Sequence, residues 1–171
     1  VSDSIFIIDE VHKCLPKGTQ RSGIALEISK LANETIAFTG TPIINSQGAK
    51  LLIMGYGNKK DDIKKFIKKN KLSDKIKIIS FQKNPYNFLK KADIFVLTSK
   101  FEGLPNVLLE AQTLKKFVIS SNCPTGPREI LDNGKGGLLF KIENHKELSE
   151  KILFYKKNYK LCLRKKRHAR N

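Results

Sequence analysis

The chain has 171 residues, 40% of them apolar, which suits one well-buried globular domain and is too short for two full ones. No apolar run approaches the ~20 residues needed to span a bilayer. The net charge of +17 is unevenly spread: residues 1–48 hold four Lys/Arg and five Asp/Glu, whereas residues 49–171 hold 29 and 11.

A charge this large favours polyanions such as nucleic acid or an anionic membrane surface. The plain alternative is a lysine-rich composition covering ordinary solvated faces, since the lysines are dispersed along the whole second segment. No basic n-region with an apolar core opens the sequence, so no signal peptide is expected. Cys14, Cys123 and Cys162 are odd in number and lack metal-like spacing, which points to a reducing compartment. The expected location is cytoplasmic, with the basic segment a candidate for peripheral contact with a membrane.

In chain order, "SIFIIDE" (4–10) is a short apolar run ending in acid, as expected of a buried parallel strand. "SGIALEISKLA" (22–32) places Ile24, Ile28 and Leu31 on one helical face, and "TIAFTG" (35–40) is a second short buried strand. Together they read as one βαβ unit. Further strands follow at 50–55, 75–80, 93–99, 117–121 and 137–140. Helical stretches lie between them near 60–70, 85–91, 106–115 and 127–132, with a last one near 145–157. This alternation predicts an α/β fold, a Rossmann-like parallel sheet with helices on both faces. Ligands of such sheets sit at the carboxyl ends of the strands. The terminal "LRKKRHARN" (163–171) is basic, lacks apolar periodicity and is expected to fray. The chain therefore divides into a βαβ fragment (1–48), an α/β domain (49–158) and a basic tail (159–171).

The most informative stretch is "TSKFEGLPNVLLEAQTLKKFVISSNCPTGPREIL" (98–131). Glu102 and Glu110 flank a Gly-Leu-Pro turn and the start of a helix. Pro105 suits the first helical position, where its missing N–H costs nothing. The amides of Asn106 and Val107 would then be free at the helix N-terminus, and Gly103 would let a phosphate approach the backbone. Glu110, one turn in, is placed to accept hydrogen bonds from a ribose diol. The plain alternative is an exposed helix carboxylate.

"FEGLPNVLLEA" resembles the E-x₇-E motif of glycosyltransferase family 4 (glycosyl transferases group 1), and "LLIMGYG" resembles its glycine-bearing strand and turn. "NCPTGPREIL" resembles a variant found in members that handle UDP-sugars in polysaccharide or lipid-linked oligosaccharide assembly. Residues 49–158 are thus similar to the C-terminal nucleotide-binding half of a GT-B enzyme. The resemblance implies that Glu102 contacts hydroxyls of the donor sugar and acts as the catalytic residue, and that Glu110 holds the ribose. Backbone from Gly103 through Leu104 and Asn106 to Val107 would hold the diphosphate. Gly55 and Gly57 would form the glycine turn, and Phe81 and Gln82 would frame the base. UDP-sugar would be the donor, no cofactor or metal would be required, and transfer would retain anomeric configuration with the leaving diphosphate stabilised electrostatically. Family members place a strand ending in Gly-Arg, then a Lys, before the strand matching "KLLIMG". Here "TGTPIINSQGA" stands there, so the reading is of a truncated transferase, lacking its acceptor domain and inactive alone.

Before that point the sequence resembles another family. "IFIIDEVHK" (5–13) and "TGTP" (39–42) are similar to motifs II and III of superfamily-2 helicases and DNA-dependent ATPases. That resemblance would give Asp9 a Mg²⁺-positioning role, Glu10 the attacking water, and His12 with Thr39, Gly40 and Thr41 the coupling of ATP to nucleic acid. No G-x-x-x-x-G-K-[ST] loop is present, so Mg-ATP would serve only a complete helicase, and the residues are expected to be vestigial. Three readings stand: a nucleotide-sugar-binding module fused to a helicase scrap, a basic nucleic-acid-binding remnant, or a ligand-free relic. If the family's strand order holds, its first strand is central and missing. Strand 35–40 is then the expected filler, with residues 41–49 bridging directly to the next strand.

Overall fold

The computed structural model describes residues 5–8, 50–54 and 60–168. Among these residues six parallel strands form one sheet in the order β3-β2-β1-β4-β5-β6. They are β1 (Ile5–Ile8), β2 (Lys50–Met54), β3 (Ile76–Ile79), β4 (Ile94–Leu97), β5 (Phe117–Ser121) and β6 (Leu138–Phe140). The helices are α1 (Lys60–Lys69), α2 (Tyr86–Leu89), α3 (Asn106–Thr113), α4 (Pro127–Ile130), α5 (His145–Lys157) and α6 (Tyr159–His168). A short 3₁₀ turn, Asp132–Gly134, follows α4. Among the described residues no helix is long and apolar enough to cross a membrane.

The strands are short apolar runs because both faces of the sheet are covered. In β4, Ile94 and Val96 point to one helical layer, and Phe95 and Leu97 to the other. The first layer consists of α1, α5 and α6, contributing Ile63 and Ile67, Leu148 and Ile152, and Cys162. The second consists of α2 and α3 with the residue after α4, contributing Leu89, Leu108, Ala111 and Leu131. The apolar stripe expected on 60–70 is seen in α1, with Ile63 and Ile67 buried and Phe66 packed against them.

The central slot is filled, but by a different strand from the one expected. Ile7 of β1 lies opposite Leu52 on one side and Phe95 on the other. Strand 35–40 lies outside the described residues. The preference for Ile5–Ile8 has a topological reason. A parallel neighbour needs a long crossover, and residues 9–49 supply one between β1 and β2, whereas a direct bridge over 41–49 would not. Of the βαβ unit read over 4–40 the first strand, Ile5–Ile8, is described, and it is a middle strand of the main sheet.

A second correction concerns the terminus. Residues 163–168, part of the stretch expected to fray, belong to helix α6, in which Cys162 is fully buried against the sheet. Lys165 donates to the Gly134 carbonyl at 2.7 Å. The helix's fully buried side chain among the described residues is one small cysteine between charges, which periodicity does not register.

Tyr155 of α5 is 7% exposed, 4.8 Å from the Phe117 ring and 5.6 Å from that of Tyr159. Burial, and next the Asp93 carboxylate, push its phenol well above the usual tyrosine range. A group whose folded pKa is raised stabilises below its unfolded pKa, near ~10 for tyrosine, and loses that stability as pH climbs beyond. Tyr155→Phe keeps the ring and removes the proton. Thermal melts should therefore show a shallower alkaline loss of stability above pH ~10 in the variant than in the parent. Burial lowers Lys116 and Lys156 in both proteins alike, so the difference isolates Tyr155.

Candidate functional site

In this strand order the chain runs outward from β1 through β2 to β3, then returns to β4 on the other side. The switch point lies between β1 and β4, where open α/β sheets take their ligands. The loop that leaves β4 there is 98–105, which carries Glu102, Gly103 and Leu104. It ends at Pro105, which caps α3.

The loop is held from the neighbouring strand. Ser121 Oγ, at the end of β5, donates to the Ser99 carbonyl at 2.6 Å, with both residues buried. Thr125 Oγ1 donates to the carbonyl of Glu102 itself. Thr125 and Gly126 both have positive φ, 57° and 89°, the region that favours glycine and strains a β-branched residue. A Cβ on Gly126 would stand 2.4 Å from Pro105 Cδ and 2.7 Å from the Gly103 oxygen, so the two loops touch through a bare backbone. On the outer side Lys100 pairs with Glu143, in the loop after β6, at 2.7 Å.

Gly103 is open: a Cβ there would meet nothing within 4 Å. Leu104 is exposed, as is Phe101 on the other side of Glu102. Pro105 sits one residue earlier than expected, as the cap, with α3 beginning at Asn106. The amide of Asn106 is also not free, because it donates to Leu104 O at 2.8 Å. Leu108 N–H bonds to Pro105 O at 2.9 Å, which leaves Val107 as the helix-start amide without a partner among the described residues.

Glu110 lies on α3 and lines a hollow of about 420 Å³ together with Tyr86, Asn106, Leu109, Thr113 and Leu114. Phe81 and Gln82 line a different hollow of about 610 Å³ with Lys83, Asn84, Asn87, Phe88 and Lys91. Helix α2 contributes to both, Tyr86 to one and Asn87 with Phe88 to the other. Glu110 and the Phe81–Gln82 pair are thus neighbours across α2 rather than walls of one of these hollows. Glu102, Gly103 and Leu104 line neither of them. Gly55 and Gly57 lie outside the described residues.

The local sequence carries no sign of Thr125 and Gly126 as a brace, although "NCPTGPREIL" is part of the resemblance. It also did not single out Lys60, whose Nζ donates to Ser80 Oγ at 3.1 Å and so stands beside the carboxyl end of β3. Among the described residues no group of His, Cys, Asp or Glu could hold a metal ion.

The strand order and the braced loop at its switch point define a doubly wound α/β domain. The chain belongs to the family Glycosyl transferases group 1, whose pattern matches residues 37–171. It is 47% identical over 83 residues to an uncharacterised glycosyltransferase of Methanocaldococcus jannaschii, covering 48% of this chain and 20% of that one. It is 33% identical over 99 residues to the N-acetylgalactosamine-N,N'-diacetylbacillosaminyl-diphospho-undecaprenol 4-alpha-N-acetylgalactosaminyltransferase of Campylobacter jejuni, covering 58% and 27%. Its fold matches the crystal structure of a Staphylococcus aureus TarM mutant in complex with Fondaparinux, alpha-GlcNAc-glycerol and UDP. That match has a TM-score of 0.77 at 24% identity, over 98% of this chain and 31% of that one. The chain thus spans between a fifth and a third of the length of these relatives. The fold is the GT-B type of Rossmann-like sheet.

The family match also bears on the segment read as helicase-like. It begins at residue 37 and includes Thr39, Gly40 and Thr41, while Ile5–Ile8 is built into the same sheet. Asp9, Glu10, His12, Thr39, Gly40 and Thr41 lie outside the described residues. The helicase resemblance and the fusion of two genes find no support in these findings.

Proposed function

We propose that this domain binds the UDP part of a nucleotide-sugar donor, as the donor half of a retaining glycosyltransferase that builds polysaccharide or lipid-linked oligosaccharide. The observation that carries the reading is the 98–105 loop, which sets Glu102 at the switch point and leads directly into the helix bearing Glu110. In this reading Glu102 is the catalytic residue that contacts donor-sugar hydroxyls, and Glu110 accepts from the ribose. The Gly103–Val107 backbone receives the diphosphate, now chiefly through the Val107 amide. Phe81 with Gln82 meets the base. UDP in the TarM complex supports the nucleotide, and the diphospho-undecaprenol in the Campylobacter relative's name supports a lipid-linked acceptor.

Transfer by this chain alone should be slow. The resemblance calls for Gly-Arg and then a Lys before the strand matching "KLLIMG", where "TGTPIINSQGA" stands with neither Arg nor Lys. Each missing electrostatic partner of a leaving group typically costs about 10²–10³ in rate.

The test is calorimetric titration of the full chain with UDP, ADP and UDP-sugars. UDP should bind and raise the melting temperature, by the equivalent of about 2.7 kcal/mol at a hundredfold excess over its Kd. Glu110→Ala should weaken UDP by roughly ten- to a hundredfold, the usual worth of a hydrogen bond to a charged group. Absence of UDP binding would overturn the assignment, and equal binding of ADP would overturn its uridine specificity.

A further inference from the structure

The lysines look dispersed along the sequence, but the fold sorts them. The helices covering one face of the sheet, α1, α5 and α6, hold thirteen Lys/Arg against four Asp/Glu over residues 60–69, 145–157 and 159–166. The helices on the opposite face, α2, α3 and α4, hold only Arg128 against Glu110 and Glu129. On the outer side of α1, Lys65, Lys68 and Lys69 are exposed and have no acidic partner among the described residues. Lys157, Lys160 and Arg164 are exposed on α5 and α6.

The same basic layer exposes apolar side chains. Tyr159 is 51% exposed, Leu161 44% and Phe154 36%, each within a few residues of Lys157 and Lys160. A lysine-rich helical face that also presents aromatic and aliphatic side chains is the pattern of an element lying in the headgroup region of a membrane. Nucleic acid would be met by the same charges, but its phosphates offer nothing to an exposed leucine.

We propose that the outer surface of α1, α5 and α6 docks on an anionic lipid bilayer. The lysines supply the attraction, and Phe154, Tyr159 and Leu161 enter the boundary between headgroups and acyl chains. The surface is built by helices packed on the first layer of the core, and its docking does not depend on what the loops at the carboxyl ends of the strands bind.

The experiment is co-sedimentation of the full chain with phosphatidylcholine vesicles, with and without phosphatidylglycerol. Binding should require phosphatidylglycerol and fall with salt. Each lysine close to such a surface strengthens partitioning roughly fivefold, so the triple variant Lys65→Glu, Lys68→Glu, Lys69→Glu should lose at least about a hundredfold. The triple variant Lys83→Glu, Lys91→Glu, Lys115→Glu has the same net charge but lies off this layer, and should retain most of the binding. Leu161→Ser should weaken vesicle binding while leaving the affinity for a DNA oligonucleotide unchanged. Circular dichroism melts establish that each variant is folded, and any that is not is replaced by the Lys→Gln version. Equal losses in the two triple variants would overturn the proposal, because total charge would then explain the binding. So would the absence of phosphatidylglycerol-dependent binding, or tighter binding to the oligonucleotide than to vesicles.

Discussion

Gly126→Val should lower the stability of the chain by about 3 kcal/mol and abolish UDP binding by the protein that remains folded. Gly126 sits at φ 89°, where an L side chain is strained, and its added Cβ would stand 2.4 Å from Pro105 Cδ and 2.7 Å from the Gly103 oxygen. Left-handed backbone costs roughly 1–2 kcal/mol for a residue with a Cβ, and overpacking costs about 1–3 kcal/mol more. For a chain of this size the sum corresponds to a melting temperature roughly 10 °C lower. Relief can come only by pushing away the loop 98–105, which moves Glu102 and the start of α3 together. Gly103→Ala separates the two effects. Its Cβ meets nothing within 4 Å, so its melting temperature should stay within about 1–2 °C of the parent, as for other unpacked surface changes. Its UDP affinity should nevertheless fall if the diphosphate lies against that backbone. Thermal melts with calorimetry below the transition check both. A Gly126→Val protein that melts like the parent would mean that the two loops do not touch.

Phe95→Ala should cost about 3–5 kcal/mol, the usual loss for a fully buried aromatic. Phe95 is 2% exposed in the middle of β4 and packs in the layer that includes Leu89, Leu108 and Ala111. The cavity would open under α3, the helix that carries Glu110, and α3 has no side-chain cap to hold its start. Phe101→Ala is the matched control, because that ring is 73% exposed, and should change stability by no more than about 0.5 kcal/mol. Urea denaturation distinguishes them: the midpoint should move for Phe95→Ala with little change in slope. Equal midpoints for the two variants would contradict the two-layer packing.

Much of the fold was legible along the chain. The runs at 50–54, 76–79, 94–97, 117–121 and 138–140 are short, apolar and regularly separated, and each is a strand of the sheet. Such runs identify themselves because a parallel strand buried on both faces tolerates little else. The site was partly legible for the same local reason. Glu102, Gly103, Pro105 and Glu110 lie within a single turn and helix, so their spacing in sequence is close to their spacing in space. Residues contributed by a neighbouring strand were not visible. Thr125 reaches the Glu102 carbonyl only because β4 and β5 are adjacent, and nothing in the local pattern of either stretch announces the pairing.

The sequence by itself determined the class of the domain, the location of most strands, and the loop and helix that carry the two glutamates. Periodicity and backbone chemistry act over a few residues, and those features are local. The tertiary structure decided which apolar run fills the centre of the sheet. Ile5–Ile8 and residues 35–40 both read as short buried strands in the sequence, and the length of the crossover to β2 favours the first. It also decided that residues 159–168 pack as a helix, and that the lysines carried on helices lie on one face of the sheet. Burial and charge patterning of this kind depend on which elements share a side of the sheet, a relation between segments distant in the chain.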